Sequence, residues 1–339
     1  MARKIGVRFR WQAALILACT IAGCVADGGP RTEGAHGEKR LPSPARATYP
    51  TIGLDTGAGM TLGEAVRQIG EGSGGGAVLL SGLEDWPAPD LQIAGAGFVK
   101  GLEQLIAGRD CKLQVLPHYV FIYPNGYEQL EALSLDGEIG GRMAELRASF
   151  AVGAGTDLYN ALALLGNALG VTLIADNLVA DAWCGELFLE NAPLPAILEA
   201  LLKSARVPGP SIQIESTDDY IFIRSVQNAN KAPACLNAGD LTDAQRERLR
   251  APVRLRLPRD GDAALFKSGS TRLSDALPAL SAQLGLEVSA DGSMADLPVN
   301  AAVLAGVPLE TALDLLIWQW PLPEFGYRVT GAGIHFCPR

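Results

Sequence analysis

The chain has 339 residues, 48% hydrophobic and 19% charged, and a formal net charge of −9. That is too apolar for a disordered chain and enough for two or three folded domains. An acidic balance with no basic stripe argues against nucleic acid, whose affinity rests on phosphate neutralisation.

Residues 1–23 have the form of a signal peptide. Arg3, Lys4, Arg8 and Arg10 make a positive leader, and Trp11 to Ile21 is an apolar run too short to span a bilayer. The run ends Ile21-Ala22-Gly23-Cys24, which resembles the bacterial lipobox. The resemblance implies cleavage before Cys24, a diacylglyceryl group on its sulfur and acylation of the new amine. An ordinary signal peptide with a chance cysteine is the alternative. Removing the four cations takes the net charge from −9 to −13, a poor match to anionic lipid. Acyl chains, at about 0.8 kcal/mol per buried CH₂, would hold the protein at the membrane. Residues 24–50 then read as a lipidated flexible tether. Gly28, Gly29, Pro30, Gly34, Gly37, Pro42 and Pro44 punctuate it, and a coil of that length averages about 28 Å end to end.

From residue 51 one pattern appears three times. Leu91–Ile106 is LQIAGAGFVKGLEQLI, Leu187–Leu202 is LFLENAPLPAILEALL, and Ala302–Ile317 is AVLAGVPLETALDLLI. Each is a short apolar strand, a turn and an amphipathic helix, with apolar residues at i, i+3, i+4, i+7 and i+8. Shifts of 96 and 115 residues superimpose the copies. The same shifts align an earlier helix: Leu62, Ala65, Val66, Ile69 with Leu158, Ala161, Leu162, Leu165 and with Leu273, Ala276, Leu277, Leu280. Gly74, Gly170 and Gly285 follow that helix, where a left-handed stop is expected. Pro278 conflicts locally, because a helix accepts proline readily only in its first turn.

Strands flank these helices. They are expected at Ile52–Asp55, Ser149–Gly153 and Ala264–Lys267, then at Ala77–Leu80, Val171–Ala175 and Leu286–Ala290. Closing hairpins are expected at Lys112–Val115 with Tyr119–Tyr123, Ser211–Glu215 with Tyr220–Arg224, and Gly326–Thr330 with Gly333–Cys337. The expectation is an α+β chain of three tandem β-α-β-β-α-β-β units, with two helices packed on small mixed sheets. The units would span residues 51–124, 149–225 and 263–339, joined by connectors 125–148 and 226–262. In the second connector, Leu241–Pro252 reads as a charged helix capped by Asp240 or Thr242. Val253–Leu257 alternates as a half-exposed strand, with Arg254 and Arg256 facing water as a local basic spot.

The order and the residues resemble the secretin and TonB short N-terminal (STN) domain. The matching features are the leading apolar strand, the L-x-x-A-[VL]-x-x-[IL] helix, the strand entering [PG]-[FL]-x-x-[AGI]-L-x-x-L-[IL], and the last apolar strand. The resemblance implies a periplasmic protein-interaction module, with envelope proteins such as a secretin or TonB-linked system as partners. The lipobox places it on a membrane through its lipid, with the outer membrane's periplasmic face as the expected location. No TonB box, barrel or secretin channel segment follows the third unit. The alternative is a lipoprotein binding a small ligand or cell-wall glycan in a cleft between units.

Chemistry-bearing motifs are sparse. Cys111, Cys184, Cys235 and Cys337 would sit in an oxidising space, where disulfides, in any of three pairings, or free buried thiols are open. Their spacing fits no metal site. Gly95, Gly97 and Gly101 miss the dinucleotide fingerprint by one residue, and Gly72–Gly76 lacks the Lys-Ser/Thr ending of a phosphate loop. Neither motif implies a cofactor. His36, His118 and His335 have local structural readings, and no nucleophile motif is present, so a non-catalytic protein is expected. Trp86, Trp318 and Trp320 are candidate partner anchors, each with core or inter-unit packing as the alternative.

Overall fold

A computed structural model describes residues 51–339 apart from 58, 229, 231–232 and 258–270. The fold is α+β, with nine α-helices and nineteen strands in small mixed sheets among the described residues. Cys24, the tether, His36 and the strand expected at Ala264–Lys267 lie outside those residues.

The first segment runs β1 (Thr51–Asp55), α1 (Leu62–Ser73), β2 (Ala77–Leu79), β3 (Gln92–Gly97), α2 (Phe98–Ile106), β4 (Cys111–Val115) and β5 (Val120–Pro124). Thr61 opens α1 with a capping box to Glu64, and Gly74 closes it at φ 61°, as the sequence signals require. Gly101 is needed for packing: a Cβ there would come 2.2 Å from Ile52 Cδ1. After α3 (Gly141–Glu145), the second segment holds β6 (Arg147–Val152), β7 (Thr156–Asp157), α4 (Leu158–Leu169), β8 (Thr172–Ala175), α5 (Asn177–Ala180), β9 (Trp183–Cys184), β10 (Leu187–Pro193), α6 (Leu194–Ser204), β11 (Ile212–Ser216) and β12 (Tyr220–Ser225). The last segment follows α7 (Asp243–Arg250). It contains β13 (Pro252–Leu257), β14 (Thr271–Arg272), α8 (Leu273–Leu284), β15 (Glu287–Ala290), β16 (Pro298–Val299), β17 (Ala302–Pro308), α9 (Leu309–Trp318), β18 (Phe325–Val329) and β19 (Gly333–Pro338).

Strand pairing follows one plan in all three segments. The leading strand runs antiparallel to the strand before the second helix: β1 with β3, β6 with β10, β13 with β17. The strand after the first helix runs parallel to the last strand: β2 with β5, β8 with β12, β15 with β19. The hairpin partners β4, β11 and β18 pair antiparallel to those last strands.

Four expectations need correction. First, the leading strand that pairs with β17 is β13, which the sequence reading placed in a connector. Arg254 faces water, but Arg256 reaches back, its Nη2 donating to Asn167 Oδ1 at 2.8 Å. Second, the connectors are docked. Leu130, Leu133, Leu135, Ile139 and Met143 are buried in the core of the first two segments, and Ala234–Leu236 lies along β18 through Leu236 N–H to Tyr327 O and Tyr327 N–H to Ala234 O, both 2.8 Å. Third, α8 continues through Pro278 in its second turn. Fourth, the sheets are not confined to units. β2 pairs with β10 of the next segment, making one five-stranded sheet, β4-β5-β2-β10-β6. One core therefore spans the first two segments, and a second core fills the last.

The β2–β10 seam is tight. Leu79 N–H donates to Glu186 O at 2.8 Å, and Arg67 grips the Glu186 carboxylate through Nε at 2.6 Å and Nη2 at 2.8 Å. A Cβ on Gly185 would lie 2.1 Å from Leu79 O. Gly185→Ala must therefore push the two strands apart. Overpacking of this kind costs about 1–3 kcal/mol, and denaturant unfolding should show a loss of that size.

Candidate functional site

What covers the strands β4-β5-β2, β11-β12-β8 and β15-β19-β18 sets the site apart. The β2–β5 face carries Val78 beside Phe121, and the β8–β12 face carries Ile174 beside Phe222. In each case the next segment's second helix lies across it. Lys203 of α6 sits 5.9 Å from the Phe121 ring centroid, and Glu199 Oε1 accepts from Tyr119 Oη at 2.7 Å. One segment later, Trp318 of α9 packs on Phe222 with centroids 6.3 Å apart. The shift of 115 that aligns the repeats carries Lys203 onto Trp318 and Glu199 onto Asp314. The same docking is thus made twice, with different side chains.

The third sheet, β15-β19-β18, is open on the corresponding face, where Ser289 and His335 are half-buried and line a cleft. Its register puts Ser289 beside His335 where the earlier sheets have Val78–Phe121 and Ile174–Phe222. Ser289 Oγ lies 2.9 Å from His335 Nδ1, and His335 Nε2 lies 3.2 Å from Asp291 Oδ1. A carboxylate only accepts, so Nε2 carries a proton, and in the neutral ring Nδ1 accepts from the serine hydroxyl. Glu287, Thr330, Ala332, Gly333 and Ile334 complete an open cleft of about 240 Å³ around Ser289 and His335. Gly333 is dictated by strand closeness, since a Cβ would come 1.9 Å from Glu287 O.

The hydrogen-bond order Ser–His–Asp matches a nucleophile, a base and its orienter. The surroundings do not match. Ser289 sits within a regular strand, the neighbouring Asp291 N–H is bound to Phe336 O at 2.9 Å, and the Val288 N–H to Ser281 Oγ at 2.9 Å. Those donors cannot also serve an oxyanion. Asp291 and His335 are 46% and 35% exposed in their side chains, so water competes for the whole chain of bonds. Sequence reasoning found His335 and missed Ser289 and Asp291. The signal was available: the second strand reads Val78-Leu79-Leu80, then Ile174-Ala175-Asp176, then Ser289-Ala290-Asp291, losing apolar character toward the end of the chain.

Comparison with protein-family models, curated proteins and solved structures finds no match to this chain.

The expected anchors are mostly internal. Trp86 is half-buried against the first core, and its carbonyl accepts the Leu62 N–H at 2.6 Å. Trp318 takes the inter-segment contact described above. Trp320 is 1% exposed and donates through Nε1 to Pro298 O at 2.6 Å, so it has no surface to offer a partner. The exposed tryptophan is Trp183 of β9, at 67%, which the sequence reading passed over. His118 is exposed in the β4–β5 turn.

The four cysteines among the described residues are free thiols, and the structure pairs none of them. Cys235 and Cys337 come nearest to a rationale, lying on opposite edges of β18. Two strand spacings make about 10 Å, beyond the roughly 7 Å a disulfide tolerates. Cys184 is wholly enclosed, and burial pushes its thiol up to about 12. No helix among the described residues is long and apolar enough to cross a membrane.

Asp314 is a partly buried carboxyl beside a second acid, Glu310. Burial first, then the Glu310 charge, raises its carboxyl to about 7. A carboxyl held above its unfolded value binds a proton more tightly in the fold. Its contribution to stability is therefore largest below about pH 4 and declines as pH rises to about 7. Asp314→Asn should leave the melting temperature near pH 4 unchanged and raise it at pH 8. Equal effects at both pH values would contradict the assignment.

Proposed function

We propose that this protein is a lipid-anchored envelope protein acting as a non-catalytic protein-interaction module or scaffold. The reading places it in the periplasm, on the outer membrane, within a secretion, pilus or uptake assembly, in line with the STN-like pattern. The observation that carries it is the double docking. Twice in one chain, a strand and helix seat against a neighbouring sheet in the manner of a protein–protein interface, with strand pairing, a bidentate ion pair and aromatic contact at the first seam. A polypeptide whose segments bind one another this way carries the chemistry to bind a partner by strand addition and helix seating.

Close packing at the first seam, as at Gly185, favours the scaffold reading over a ligand cleft there. Beside Ser289 the Val288 and Asp291 N–H groups are already bound, which favours the non-catalytic reading.

Three experiments test the proposal. Cys24→Ser should abolish incorporation of labelled fatty acid and move the protein from the membrane to the soluble fraction. Chemical cross-linking in intact cells should join the lipidated chain to another envelope protein, and recovery of uncross-linked chain alone would sink the scaffold reading. A fluorophosphonate probe should not label the purified chain; labelling that Ser289→Ala removes would establish a hydrolase instead.

A further inference from the structure

The docking series has two ends, and they differ in a way that assigns direction. The tail is the β15-β19-β18 sheet. Its face exchanges valine or isoleucine for Ser289 and phenylalanine for His335. Leaving a phenylalanine and a branched aliphatic uncovered would forgo the gain from burying them, and the exchange removes that cost. The strand edge is closed as well. Ser281 aligns with Gly70 and Gly166, and its hydroxyl accepts the Val288 N–H at 2.9 Å and reaches Val288 O at 3.4 Å. The equivalent backbone in the first segment, Ala77, pairs with Phe188 of β10. A polar face and a sealed edge are the marks of a terminal cap.

The head is different. It consists of β3 and α2, which correspond to β10–α6 and β17–α9. The far edge of β3 is unpaired among the described residues, whereas β10 is paired on both sides and β17, paired with β13 alone, sends its Ala305 N–H to Thr172 Oγ1. Its stretch Ala94–Gly97 holds only glycine and alanine, with no charge or proline to discourage strand addition. Lys100, Glu103, Gln104 and Ala107 are exposed on α2. Their counterparts on α6 are Ala196, Glu199, Ala200 and Lys203, of which Glu199, Ala200 and Lys203 are buried. The head helix is thus little more polar than the helix that docks. It even keeps Glu103 where Glu199 accepts the Tyr119 hydroxyl.

We infer that the β3 edge and the outer face of α2 form a docking surface for a different polypeptide, which presents a sheet like β2–β5. That partner would add a strand antiparallel to β3, lay an apolar aromatic face on α2, and offer a phenol or similar donor to Glu103. A second copy of this chain does not fit, because its own tail carries Ser281, Ser289 and His335 at the matching positions. This inference rests on the scaffold reading and specifies which surface does the binding.

The test is to rebuild the missing face. The triple variant Ser281→Gly, Ser289→Val, His335→Phe restores the inner-segment pattern at the tail. The parent chain should sediment as a monomer in detergent. The triple variant should form head-to-tail oligomers, and Glu103→Arg, which sets a cation toward Arg328, paired with His335 as Gln114 is with Phe121, should lower its association at least tenfold. A folded triple variant that stays monomeric, or one whose association ignores Glu103→Arg, overturns the inference. In cells, a photo-cross-linking residue at Gln92 or Gln104 should trap a different polypeptide, and one at Arg328 should not. Cross-links from Arg328 alone overturn the inference while leaving the scaffold reading intact. Cross-links between two copies through Gln92 overturn the choice of partner, and none anywhere on the surface overturns both readings.

Discussion

The structure depends on one contact made twice: the second helix of a segment laid across the sheet of the segment before it. Phe121 and Phe222 are the centres of that contact. Each is fully buried, and each lies on a face that its own segment cannot cover. A small sheet has two faces, and the segment's own helices supply cover for one. The other must find a neighbour or become polar. The first two segments take the neighbour, and the third becomes polar.

This constraint explains the features that look like chemistry. Lys203 is buried inside a seam. Burial pulls its pKa down, and Glu199, Gln114 and the Phe121 ring surround it because it sits inside a seam. Tyr119 is held far above its usual range by burial, then by Glu199, for the same reason. Asp314, at the Glu199 position one segment later, has no lysine four residues on; Trp318 stands there instead. Burial, then Glu310, leaves its carboxyl raised to about 7, which makes the second seam sensitive to pH in the neutral range.

The two seams also differ in how backbone is satisfied. At the first, β2 and β10 exchange ladder hydrogen bonds. At the second, Thr172 Oγ1 accepts the Ala305 N–H at 2.8 Å, and the Asn177 N–H donates to Gln319 O at 2.9 Å. Side chains and a loop do there what a strand ladder does at the first seam. That difference accounts for one continuous core over the first two segments and a separate core in the third, reached through Ile174 and Phe222.

The sequence by itself determined the local elements, because their causes are local. Apolar spacing placed α1, α4 and α8, left-handed glycines ended them, and β-branched and aromatic runs marked both strands of each closing hairpin to within a residue or two. The same spacing aligned the segments by shifts of 96 and 115, and the capping box at Thr242 was one of the two caps it allowed. Tertiary structure decided everything that depends on long-range pairing. Only coordinates could show that β13 leads the third segment, since an alternating strand beside arginines reads equally well as a surface connector. Likewise, nothing local in Ser289, Asp291 and His335, 46 residues apart at the widest, says that parallel pairing of β15 with β19 sets them side by side. Nor could apolar pattern alone say whether Trp320 or Trp183 faces water: both are hydrophobic, and exposure is decided by which neighbouring segment arrives to cover them.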